Sequence, residues 1–258
     1  MTSNSGIQKH LTKLLNKDVR YDGRKKDEFR DVSVETDVSA NAEGSARVII
    51  GNTEVLAGVK LSVAKPYADS PDVGMLMVNA EFSAMASREF EQGPPSVESI
   101  ELSRVIDRGI REAHAVDMAK LCIEAGELVW SVSIDIITIN DDGNLMDAAG
   151  LAALAALKDA RLPKLEDGKV NYKERTKDKL PMLKEPIPVT VNCIGEQLFL
   201  DCTADEMPHV EARLTTAILA NGTLCAMQKG GVKTLTIEQI DTMVEMAIKA
   251  SKDLREKL

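Results

Sequence analysis

The spacing of hydrophobic and polar positions changes period several times along these 258 residues, and each change predicts an element. The sharpest change lies between Glu127 and Asp159. Val132, Ile134 and Ile136 alternate with Ser131, Ser133 and Asp135, a β-branched run that predicts a central strand over residues 128–139. Beyond Asn140-Asp141-Asp142-Gly143 the chain becomes Ala- and Leu-rich on every side through Leu157. This predicts a helix enclosed by protein, with Asp147 capping its first turn.

Ile7, Leu11, Leu14 and Leu15 have helical spacing and predict a short amphipathic N-terminal helix. Residues 44–50 and 54–61 read as strands joined by Gly51-Asn52-Thr53, and a third run covers 75–82, so three antiparallel strands are expected. After Pro94-Pro95, Ser96 can cap a helix reaching about Val116, with Val97, Ile100, Val105, Ile106 and Ile110 on its buried side. Residues 158–188 are charged and carry Pro163, Pro181, Pro186 and Pro188, a candidate long loop between two halves. Residues 189–194, 197–203, 212–219 and 223–228 predict a four-strand meander, its last turn at Asn221-Gly222. Thr236-x-x-Gln239 is a capping box opening a helix that buries Ile237, Ile240, Val244, Ala247, Ile248 and Leu254. Antiparallel sheets covered by helices in both halves make an α+β architecture.

Composition narrows the function. The net charge of -9 argues against a protein coated by nucleic acid and restricts any such contact to a local patch. An aromatic share of 3% leaves few platforms for stacking bases. Cys122, Cys193, Cys202 and Cys225 form no C-x-x-C pair and His10, His114 and His209 stand apart, so no metal, disulfide framework or cofactor is expected. No apolar run approaches the ~18 residues of a membrane span, and residues 1–6 are polar, so a cytoplasmic protein without a membrane partner is expected.

P-loop, dinucleotide-binding, nucleophile-elbow and zincin motifs are absent, and Gly230-Gly231-Val232-Lys233-Thr234 lacks the spacing of a phosphate loop. Asp141-Asp142, and Asp201 with Asp205-Glu206, could hold Mg²⁺ or act as acid and base; the favoured expectation is a turn and a solvated loop. Arg20-Tyr21-Asp22-Gly23-Arg24 forms a turn whose charges could equally be a solvated loop. Arg104, Arg108 and Arg111 follow i, i+4, i+7 spacing and form a cationic stripe, but Asp107 and Glu112 could neutralise it, and the sequence leaves both possibilities open.

Several of these segments together resemble the RNase PH family. They are Arg20-x-Asp22-Gly23-Arg24, Gly44-Ser45-Ala46-x-Val48, Gly51-x-Thr53-x-Val55, Glu101-x-x-Arg104-x-x-x-Arg108-x-x-Arg111, and the strand ending in Asp142-Gly143. The resemblance runs from about residue 18 onward, and the charged insertion near 162–188 is similar to one branch, the non-catalytic RNase PH-like subunit of the archaeal exosome. It implies the RNase PH fold (ribosomal protein S5 domain 2-like) with two pseudo-repeated β-α-β halves. The expected layout is an N-terminal helix at 1–17, then a domain over 18–258 with halves at about 18–160 and 188–258 and the connecting loop at about 161–187. It also implies heterodimers with a catalytic RNase PH-like subunit, a hexameric ring of three of them, S1-domain cap subunits, and single-stranded RNA as ligand.

The departures matter as much. Catalytic members place Gly-Ser/Thr-Arg after the Asp-Gly turn to hold inorganic phosphate, where this chain has Asn144, Leu145 and Met146. A thioether cannot donate to an anion. Where they carry a catalytic Asp, Glu211-Ala212-Arg213-Leu214 stands here, and arginine neither titrates nor tolerates Mg²⁺. The resemblance thus implies a non-catalytic subunit of a 3′-to-5′ phosphorolytic ring, binding the RNA backbone through Arg104 and Arg108, with Arg111 as a third candidate. The alternatives are a divergent metal-dependent nuclease using Asp201, Asp205 or Glu206, and a protein-only scaffold without RNA contact.

Overall fold

An all-round apolar helix needs protein on every side, and that requirement organises the molecule. Helix α3 (Leu145–Asp159) buries every residue from Asp147 to Leu157 and packs on two sheets. Against one it meets strands β2 (Gly44–Ile50) and β3 (Thr53–Ala64), so closely that a Cβ at Gly44 would collide with the Ala156 carbonyl oxygen. Against the other it meets β9 (Ile187–Ile194), where a Cβ at Gly150 would collide with the Pro188 ring. Burial of Leu151, Leu154 and Leu157 contributes on the order of 2 kcal/mol each. The computed structural model describes residues 2–166 and 168–258. Met1 of the expected N-terminal helix and Asp167 of the expected loop lie outside the described residues.

The first sheet also holds β1 (Val32–Thr36), β4 (Met75–Phe82), β5 (Cys122–Glu124) and β6 (Leu128–Asn140), in the order β1-β2-β3-β6-β4 with β5 on β6. The expected trio of antiparallel strands is corrected here. β6 lies between β3 and β4 and runs parallel to β4, with Met75 opposite Ser131. The reason is α2 (Val97–Glu112), whose length lets β4 cross over to a parallel neighbour, as a tight turn could not.

Residues 161–179, expected as loop, instead form an antiparallel hairpin of β7 (Arg161–Glu166) and β8 (Lys169–Lys179), turning at Gly168 with φ 74°. Leu162, Leu165 and Val170 lean on the core, and the charged positions between them hid the strand alternation.

The second sheet adds β10 (Gln197–Leu200), β11 (Ala212–Ile218) and β12 (Leu224–Gly231) in the order β10-β9-β11-β12. It is not the expected meander, because β11 returns beside β9, register Thr215 to Thr190. Asp201 ends β10 with φ 46° and is buried, which turns the chain away before it can pair onward. Helix α4 (Ile237–Arg255) covers β9 and β11, starting with the predicted Thr236–Gln239 capping box. Met243, Ala247, Ala250 and Leu254 form its buried face, while Ile237 is 75% exposed, so the expected stripe was rotated at its start. Helix α1 (Thr2–Leu15) buries Leu11 and Leu15 with Ile194 and Phe199. No helix among the described residues is long and apolar enough to cross a membrane.

Candidate functional site

Helix α2 begins where Ser96 accepts a hydrogen bond from the Ser99 N–H at 3.2 Å, as its sequence predicts. It buries Leu102, Ile106, Gly109 and Ile110, and Gly109 lets it approach Ala217 of β11. Val97 and Ile100, expected on the buried side, are instead 79% and 47% exposed. They begin a wall of a cleft of about 400 Å³ between α2, the start of α3 and the β11–β12 edge. Glu101, Arg104 and Arg108 line it from α2, Met146 from α3, and Met227 and Gln228 from β12.

The three arginines of the predicted stripe have separate fates. Arg111 grips both oxygens of Asp107, at 2.7 and 3.0 Å, and donates to the Leu76 carbonyl at 3.0 Å, which ties α2 to β4. The Asp107 hydrogen bonds hold the Arg111 guanidinium above its ordinary value. Arg108 meets Glu112 at 3.3 Å with both side chains about half exposed or more, a contact of little worth in water. Arg104 is exposed and has no ion-pair partner among the described residues. Asp107, a possible partner for Arg104 by sequence, is taken by Arg111. Two cations therefore face the cleft and the third is structural.

The turn that leads into α3 is filled by protein. Gly143 has φ 83° and its Cα faces the Cys202 carbonyl so closely that only glycine fits. The Gly143 carbonyl accepts from the Thr53 hydroxyl at 2.6 Å, and Arg30 donates to the Asp142 carbonyl at 2.8 Å. Asn144, left-handed at φ 58°, precedes the helix and spends its amide on Asp201 at 3.0 Å. Leu145 and Met146 pack against the core. Asp147, expected to cap this helix, makes no cap hydrogen bond; it is wholly buried and both its carboxyl oxygens lack a well-formed hydrogen bond. Burial pushes its carboxyl up to about 7, eased slightly by neighbouring Thr190 and Asn144.

On the cleft's far side Arg213 donates to Glu101 at 2.7 Å, joining β11 to α2. Its guanidinium lies over Gly230, where any Cβ would collide with it. Glu211 accepts from Gln8 at 2.6 Å and from the Gly195 N–H at 3.0 Å.

The second acidic group is not the solvated loop expected from sequence. Asp201 and Glu206 are 0% and 2% exposed. Arg20, also buried, holds Glu206 in a two-point ion pair, donates to the Leu200 and Asp201 carbonyls at 2.8 Å, and lies 5.1 Å from the Phe199 ring centre. Arg24 and Arg30 both donate to the Asp201 carboxylate, at 2.7 and 2.8 Å. Burial raises that carboxyl, but the hydrogen bonds and charge of Arg30, joined by Arg24, outweigh it and leave the group below the usual range. The Arg20-x-Asp22-Gly23-Arg24 segment is thus a latch onto the second half. Two guanidiniums neutralise the Asp201 carboxylate and one neutralises Glu206, cations that would repel Mg²⁺ from either acid, and Asp205 alone of the set is exposed. No group of three or more metal-type ligands occurs among the described residues.

Glu101 with Arg213, and Arg30 with the Asp-Gly turn, were not legible as partners, because they are separated by 112 residues each. No local pattern encodes such a pairing.

Residues 28–163 match domain 1 of the 3′ exoribonuclease family, RNase PH, and residues 184–250 match domain 2. The exosome complex component Rrp42 of Methanocella arvoryzae is 46% identical over 249 residues, covering 96% of this chain and 94% of that protein. A chain of the Archaeoglobus fulgidus exosome with RNA bound to the active site superposes with a TM-score of 0.90 at 40% identity, covering 98% of both chains. A chain of an archaeal exosome core superposes with a TM-score of 0.87 at 39% identity, covering 98% of this chain and 96% of that one.

Proposed function

Because the chain belongs to the RNase PH family of 3′ exoribonucleases, we propose that it is a non-catalytic subunit of an archaeal-type exosome, which degrades RNA from the 3′ end by phosphorolysis. It pairs with a catalytic RNase PH-like subunit, three such heterodimers close a ring, and subunits with S1-type domains cap it. The assembly works in the cytoplasm. Arg104 and Arg108 hold the phosphate backbone of single-stranded RNA beside the partner's site, whereas Arg111 holds the helix in place. Phosphate contacts position a strand without reading its sequence, which suits a nuclease of broad substrate range.

The observation that carries inactivity is the occupied anion site. At the turn that would cradle inorganic phosphate, the Asp142 and Gly143 N–H groups already donate to the Thr53 hydroxyl at 3.1 Å and the Asp141 carboxylate at 2.9 Å, the Asn144 amide is spent on Asp201, and the next side chain into the cleft is the Met146 thioether. The place of the titrating acid is taken by a guanidinium already neutralised by Glu101. Neither an attacking phosphate nor a proton donor is provided.

The purified chain mixed with oligoadenylate and inorganic phosphate is expected to release no nucleoside diphosphate, while the chain assembled with its catalytic partner releases it. Robust release by the chain alone overturns the assignment. In the assembled ring, Arg104→Ala with Arg108→Ala is expected to weaken oligoadenylate binding and flatten its logarithmic salt dependence by up to about 2, one unit for each lost phosphate contact. Unchanged binding and slope would leave a protein-only scaffold.

A further inference from the structure

Arg104 and Glu101 stand three residues apart on one helix and both line the cleft. An acid three residues before an arginine is within reach of it along a helix, in the favourable order. Left to itself, Glu101 would turn to Arg104 and cancel the cation on which RNA binding depends. It does not do so. Its carboxylate is held by Arg213 at 2.7 Å, across from β11, with the two side chains only 21% and 31% exposed. Partial burial makes this pair the stronger competitor, because it is less screened than a pair in open water. The geometry needs three residues together: Glu101 on α2, Arg213 on β11, and Gly230 on β12, whose missing side chain leaves room for the guanidinium.

Resting on the proposed RNA-binding role of Arg104, we propose that Arg213 is a positioning residue: by sequestering Glu101 it keeps Arg104 unpaired and available to an RNA phosphate. The residue standing where a catalytic acid would be has become an electrostatic guard of the arginine stripe. It touches neither RNA nor the reacting atoms.

The test uses the ring assembled with its catalytic partner and a fluorescent oligoadenylate, titrated at several salt concentrations. Arg213→Ala is expected to weaken binding severalfold and to make the logarithmic salt slope shallower by up to about 1, because Glu101 then captures Arg104. Adding Glu101→Gln to Arg213→Ala is expected to restore both affinity and slope, since no carboxylate remains to compete. A merely structural role would change affinity or stability but leave the salt slope, which reads the number of phosphate contacts, where it was. If Arg104→Ala weakens binding but Arg213→Ala does not, the guard is wrong and the RNA-binding role stands. If the double variant stays as weak as Arg213→Ala, Arg213 acts by another route and the inference falls. If Arg104→Ala itself leaves binding unchanged, the RNA-binding role fails and takes the guard with it.

Discussion

Asp201→Asn is expected to destabilise the fold by about 3 kcal/mol, the lower end of the cost of removing one member of a buried ion pair. The wild-type carboxylate is fully buried and accepts from Arg24, from three donors of Arg30 and from Asn144. Asparagine keeps the shape and tolerates the left-handed backbone at φ 46°, so the loss reports charge rather than strain. The cost stays at the lower end because Arg24 retains Asp22 and Arg30 retains Asp142. Asp205→Asn, at an exposed position four residues on, is expected to change stability by less than about 0.5 kcal/mol. Urea unfolding of both variants at neutral pH decides the matter; equal effects at the two positions would contradict the latch. Arg30 also holds the Asp142 and Gly143 carbonyls, so the substitution should loosen the turn into α3 as well.

Asp147→Asn is expected to act in the opposite direction, and increasingly as the pH rises from about 4 to about 7. The carboxyl rises from 3.8 in the unfolded chain to about 7 when folded, because burial disfavours its charge. Well below pH 4 both states carry the proton and ionisation of the residue has no effect on stability. Between about 4 and 7 the unfolded chain has released the proton while the folded chain keeps it, so stability falls as pH rises and levels off once the folded state ionises. Keeping the proton up to about 7 in the folded chain corresponds to a few kcal/mol across that window. Asparagine cannot ionise and nearly keeps the shape of the carboxyl. The variant should therefore be close to the wild type at pH 4 and more stable by a few kcal/mol at pH 8. Asp201 contributes with the opposite sign, since its lowered carboxyl stabilises above its usual range and that contribution is lost on acidification. Taking the difference between variant and wild type at each pH cancels it. A difference that does not vary with pH would show that Asp147 has a partner in the folded protein.

The two acids illustrate how much of the candidate site could be read from sequence. Both were visible as residues, Asp147 as a cap and Asp201 as a solvated or metal-binding acid, and both assignments failed for one reason. Hydrophobic period locates an element, but it does not report what stands on the far side of a polar residue. Arg104, Arg108 and Arg111 were visible as a stripe because helical spacing is a local property. Their division into two cleft cations and one structural tether depended on Asp107 choosing Arg111 and on the Leu76 carbonyl lying within reach.

By itself, the sequence determined the central strand and apolar helix, the capped starts of α2 and α4 and the Asn221-Gly222 turn. These rest on interactions among residues a few positions apart or on the chemistry of a single side chain. Only the tertiary structure decided that β4 runs parallel to β6, that β11 returns beside β9, that Arg20 and Arg24 clasp buried acids, and that Arg213 holds Glu101. Each of those joins groups far apart along the chain, and their pairing follows from how two sheets close around one helix.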